Sequence, residues 1–164
     1  MEDQLQYKRA RERAMRLLAL RGRSRTELRK KLVERGFLKS TIDRVLENLC
    51  VLGYLDDKAF AVNRARHLAV NRLYGNRKIE EQLREKGVER EEAQAAIREV
   101  REEFPEKEGL SRSATKKLQG GGVSGLNKKE RLALARMLQG RGYHLALILD
   151  YLGKYEEATA YDID

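Results

Sequence analysis

The side chains whose type and spacing could do chemistry in this chain are its cations. Residues 8–39 hold thirteen Lys and Arg against three acids, and residues 58–79 hold six (Lys58, Arg64, Arg66, Arg72, Arg77, Lys78) and no acid. Residues 80–108 reverse the balance, with eleven acids against six bases. Lys and Arg segregated in this way hold phosphate oxygens without reading base sequence, so they imply a polyanionic partner, nucleic acid first among them. The residues expected to touch it are Arg25, Arg29 and Lys30 near the N-terminus, and Arg64, Arg66, Arg72, Arg77 and Lys78 further on.

Catalytic and metal chemistry finds no matching pattern. Gly120 and Gly125 have the separation of a phosphate loop, but Leu126 and Asn127 stand where that loop needs Lys and then Ser or Thr. The segment therefore reads as a flexible linker. Asp56 and Asp57 precede an apolar periodic stretch and read as a helix cap rather than an acid pair. His67 and His144 have no Cys or His at ligand spacing, and Cys50, alone in an apolar run, reads as a small core residue. No enzyme activity, no cofactor and no metal site is expected. The sequence has a charged start and no run near the roughly 18 apolar residues of a membrane span, so a reduced, cytoplasmic setting with no membrane partner is expected.

The elements that must carry these cations are announced by an internal repeat. LVERGF (Leu32–Phe37), LREKGV (Leu83–Val88) and LQGRGY (Leu138–Tyr143) share Leu, two residues, a basic residue, Gly and an apolar residue, at a period of about 50. This is the pattern of a helix stopped by a left-handed glycine, after which the chain folds back onto the residue three positions inside the helix. Gly36, Gly87 and Gly142 are then the stops, with Phe37, Val88 and Tyr143 folding back over Leu32, Leu83 and Leu138. Arg35, Lys86 and Arg141 fall where a cation meets the negative end of the helix dipole.

Helical spacing fills in the rest. The first helix is expected from about Gln4 to Leu20, with Tyr7, Ala10, Ala14, Leu17 and Leu18 inward and Arg9, Arg13 and Arg16 on the opposite face. SRTE (Ser24–Glu27) has the form of a capping box, Ser40 to Asp43 is expected to open a third helix, and Asn127 to Glu130 caps a later one. The last helix is expected to turn Leu145, Ile148, Leu149 and Leu152 inward. Aligned on the glycines, Leu28, Ile79 and Leu134 coincide, as do Ile42, Ala93 and Ile148, and Leu46, Ile97 and Leu152. The expectation is all-α: three tandem three-helix repeats in an elongated, curved array. Their bounds are 1–53, 54–104 and 105–155, with a glycine-rich insert at 120–125 and an acidic tail at 156–164. A helix-turn-helix can be drawn around Gly36, but its second helix presents Asp43, Arg44, Glu47 and Asn48 outward, a poor recognition surface.

The run Gly53 to Ala61 (GYLDDKAFA) resembles a signature of the RecX family. Arg23-Ser24 and Glu27-Leu28 upstream accompany it, as do Tyr74-Gly75, Ile79, Leu83 and Lys86-Gly87-Val88 downstream. The likeness spans about Ala10 to Leu152, with Arg64 where the family usually has an aromatic. The resemblance implies a bacterial regulator of the RecA recombinase, active in DNA repair, homologous recombination and the SOS response. It also implies a monomer that binds the RecA filament on single-stranded DNA and suppresses strand exchange, co-protease activity and ATP turnover. The other readings are a stand-alone basic DNA-binding protein, of repressor or nucleoid type, and a scaffold for another acidic protein. Tyr54 and Tyr74 are expected to pack between helices.

Overall fold

The computed structural model describes the backbone of residues 2–160 and the side chains of residues 2–153. Among them every regular element is an α-helix. In chain order these are α1 (Glu2–Leu20), α2 (Arg25–Val33), α3 (Lys39–Val51), α4 (Asp57–Val70), α5 (Asn76–Glu85), α6 (Arg90–Glu103), α7 (Glu106–Lys117), α8 (Lys128–Gly140) and α9 (Leu145–Ala160).

The helices form three successive groups of three, each around its own core. Ala10, Ala14 and Leu17 of α1 meet Leu28 and Leu32 of α2 and Ile42, Val45, Leu46 and Leu49 of α3. Ala61, Ala65 and Ala69 of α4 meet Ala93, Ala96 and Ile97 of α6, with Ile79 and Leu83 of α5 closing the second core. Leu110, Leu134, Leu138, Tyr143, Ile148 and Tyr151 build the third. The three sets of positions that coincide on the glycines are all buried. Each Leu or Ile side chain so removed from water contributes roughly 1.5–3 kcal/mol, and each Ala less.

The repeat signature forms the same helix stop three times. Gly36, Gly87 and Gly142 have φ of 80°, 76° and 89°. Their amides donate to Val33, Arg84 and Gln139, and the next residues, Phe37, Val88 and Tyr143, donate to Leu32, Leu83 and Leu138 at 3.1–3.3 Å. This double bond pattern satisfies the last carbonyls of each helix.

Several local expectations are corrected. Ser24 accepts from the Glu27 amide at 3.1 Å, but the Glu27 carboxylate turns away from the cap, so only half of that box forms. The helix α3 starts after Leu38, which offers no side-chain cap, and Ser40 lies inside its first turn. At α8 the full box is present, Asn127 and Glu130 each accepting the other's amide. The 120–125 segment is not a free linker, because Val123 is buried in the third core. Leu145 and Leu149 face solvent, and Tyr151 takes the place expected of them. Tyr54 is 55% exposed rather than packed, and Cys50 is half-buried. The acidic tail expected at 156–164 lies outside the residues whose side chains are described.

Candidate nucleic-acid interface

The groups of helices are joined by one device used twice. At the first junction the start of α2 abuts the end of α5. The Ser24 hydroxyl donates to the Lys86 carbonyl, the Thr26 hydroxyl to the Gly87 carbonyl at 3.4 Å, and the Arg25 amide to Asp57 Oδ1 at 2.6 Å. A Cβ on Gly87 would run into the Thr26 side chain. The glycine is therefore required twice, by its φ and by this contact.

The second junction places the start of α5 against the end of α8. The amides of Gly75 and Arg77 donate to the carbonyls of Arg141 and Gly142 at 2.9 and 3.2 Å. The Asn76 amide donates to Glu106 Oε1 at 2.7 Å. Ser24 and Gly75 each stand twelve residues before their own stop glycine, so these are equivalent positions. Asp57 and Glu106, which accept the first amides of α2 and α5, are each the first residue of the next group's first helix. Gly75 is needed because a Cβ there would meet the Gly142 backbone. Tyr143, fully buried, donates its hydroxyl to the Leu73 carbonyl at 2.8 Å. Burial raises the Tyr143 pKa, keeping the phenol protonated as that bond requires. Arg101 reaches Asn76 Oδ1 at 2.7 Å and the Tyr74 carbonyl at 2.8 Å, and its burial lowers its pKa.

Charge distinguishes the two junctions. At the first, Glu27 lies between Arg21, bonded through both carboxylate oxygens at 2.9 and 3.2 Å, and the Lys86 ammonium at 3.2 Å. Burial works to raise the Glu27 pKa, but the bonds from Arg21 and Lys86 prevail and hold it at about 2. At the second, Arg141 donates to the Arg72 carbonyl at 2.9 Å and has no acid partner among the described residues. Lys86 and Arg141 thus reach across to the neighbouring group rather than capping their own helices, a correction to the dipole reading of their positions.

The structure does not gather the expected contact residues at one place. Arg25 pairs with Glu47 at 3.3 Å, Arg29 with Asp43, Arg66 with Glu103, and Lys78 with Glu81 at 2.9 Å. Lys30, Arg72 and Arg77 are exposed and make no ion pair among the described residues. Arg64 is half-buried, its Nε without a hydrogen-bond partner among the described residues, and lines a cleft of about 500 Å³ at the first junction with Arg21, Phe60, His67 and Lys86. At the second junction a cleft of about 420 Å³ is lined by Arg72, Ser113, Lys116, Lys117 and Arg141. The last four lie outside the expected set. Alignment on the stop glycines could have found Arg141, since it puts Arg141 with Lys86, and Arg72 with Arg21. Lys116 and Lys117 follow an acidic stretch that hides them in any count by segment.

No helix among the described residues is long and apolar enough to cross a membrane, and none of their His, Cys, Asp and Glu side chains gather in a group able to hold a metal ion. Fold and junctions define a tandem three-helix repeat protein with cationic clefts between its repeats. Family models described as the first and second three-helix domains of RecX match residues 10–49 and 56–97. A regulatory protein RecX from Mycobacterium sp. (strain KMS) is 34% identical over 140 residues, covering 83% of this chain and 75% of the relative. One from Pelodictyon phaeoclathratiforme is 37% identical over 105 residues, covering 64% and 63%. The crystal structure of RecX from Lactobacillus salivarius superposes with a TM-score of 0.78 at 17% identity, over 92% of this chain and 97% of that one, a likeness of fold. This chain belongs to the RecX family.

Proposed function

We propose that this protein is a non-enzymatic regulator of the RecA recombinase. In this reading it binds the filament that RecA forms on single-stranded DNA and suppresses ATP turnover, strand exchange and co-protease activity. Membership of a family whose relatives are named regulatory proteins supports the reading, and the observation that carries it is the repeated junction. Three short helical groups in series offer an extended surface to a helical polymer. Cationic clefts at both junctions would be drawn to its DNA, or to acidic recombinase surface, at a rate that falls with salt. The protein acts as a monomer in the cytoplasm, without cofactor or membrane partner.

A second reading, a stand-alone DNA binder, is favoured by the same cations. RecA-catalysed ATP hydrolysis on single-stranded DNA, with this protein titrated in at physiological salt, separates the two. Inhibition well below the amount needed to coat the bare DNA is the expected result. Inhibition that begins only when the DNA is saturated, and vanishes as salt rises, would discard the filament reading.

A further inference from the structure

We infer that the cleft at the second junction binds a phosphodiester group of a nucleic-acid strand. Arg72, Lys116, Lys117 and Arg141 supply the charge and Ser113 a hydroxyl donor. The first junction shows what an anion gains at such a place, because the Glu27 carboxylate sits between Arg21 and Lys86 there. Arg72 and Arg141 occupy the repeat positions of Arg21 and Lys86, whereas the position of Glu27 is held by Lys78. Lys78 turns to Glu81 on its own helix. The second junction therefore keeps both cations, lacks the internal acid, and adds Lys116 and Lys117 from α7. Neither lysine, nor Arg72, makes an ion pair among the described residues, and no carboxylate lines the cleft.

Ser113 is the independent sign. It is 3% exposed, it lines this cleft, and its Oγ has no hydrogen-bond partner among the described residues. A buried hydroxyl without a partner is costly, and a phosphate oxygen at the cleft would accept from it. Two neighbouring guanidinium groups suit the same oxygens, since Arg offers planar paired donors that match phosphate geometry. An extended strand fits better than a small free anion, because the site recurs. In the first group Arg35, at the repeat position of Lys86 and Arg141, lines a cleft with Arg13, Arg16 and Glu12, and the Arg13 Nε has no hydrogen-bond partner among the described residues. A strand running along the array meets one such cleft in each repeat.

The test uses the full chain without recombinase, so its outcome is independent of the filament reading. Amide shifts of the ¹⁵N-labelled protein are followed during titration with a single-stranded thymidine oligonucleotide and, separately, with inorganic phosphate. Oligonucleotide affinity is measured across a salt series for the wild type and for the triple variant Arg72→Gln, Lys116→Gln, Lys117→Gln. The oligonucleotide is expected to move the amides of Ser113, Lys116 and Arg141. The variant is expected to bind about tenfold or more weakly at low salt, with a salt slope shallower by roughly 0.7 for each phosphate it no longer neutralises. These three side chains are exposed, so an unchanged melting profile is expected alongside. Wild-type affinity and slope in the variant, or amides that stay still in the wild type, would overturn the site. Shifts with inorganic phosphate alone would overturn the strand as its occupant and leave a small free anion.

Discussion

At the scale of single residues, the three stop glycines share a conformation but not a neighbourhood. A Cβ on Gly36 meets nothing within 4 Å, whereas one on Gly87 or Gly142 runs into the preceding group. Gly36→Ala should therefore cost only the left-handed penalty, about 1–2 kcal/mol. Gly87→Ala and Gly142→Ala should add a further ~1–3 kcal/mol of overpacking, and Gly87→Val should be worse than Gly87→Ala. Denaturant unfolding of the three alanine variants checks this, and equal losses would show that the junction contact carries no energy. Glu27 makes a second prediction. Its folded pKa lies near 2, below its ordinary value of 4.5, so the stability it contributes is complete above about 4.5 and is lost as pH falls towards 2. Glu27→Gln should flatten the acid limb of the melting curve between those values, and an unaltered limb would remove Glu27 from that role.

At the scale of elements, most helices and their core faces are legible in the sequence because the helix stop is a local motif. Leu, a cation, Gly and an apolar residue within six residues satisfy their own backbone. The starts of α3 and α8 show where local reading fails and where it holds. Ser40 has the type of a cap, yet the helix begins at Lys39 with Leu38 at the cap position, whose side chain has no oxygen to accept a bond. Asn127 has the type of a cap and is one; Asn127→Ala should cost roughly 1 kcal/mol, read as earlier thermal unfolding with loss of amide-exchange protection in the first turn of α8. Exchange protection unchanged there would place the cap's energy elsewhere. Glu27 has the spacing of a box but serves two cations contributed by other segments, and no local rule reveals that. The contact residues are the least legible part for the same reason. A count of charges along the chain does not tell Arg66, held by Glu103, from Arg72, which makes no ion pair among the described residues.

At the scale of the whole molecule, the proposed function would depend on a series of small cores holding their cations along the chain. Reversing Arg72, Arg77 and Lys78 to Glu should weaken binding to the recombinase filament by tenfold or more, since rim charges act chiefly on encounter. Circular dichroism should stay at the wild-type value, because Arg72 and Arg77 are exposed. Wild-type inhibition of ATP turnover by that variant would move the contact surface elsewhere. The start of α8 carries a further consequence. Lys128, the first residue of α8, stands fourteen residues before its stop glycine, whereas Arg25 and Asn76 begin α2 and α5 eleven before theirs. That extra turn, closed by Asn127 and Glu130, lies at the helix start which in the first two groups meets the following one. The third group therefore lacks the form of helix start that the other two use for docking. Grafting a further repeat onto it would first require the start of α8 to be rewritten.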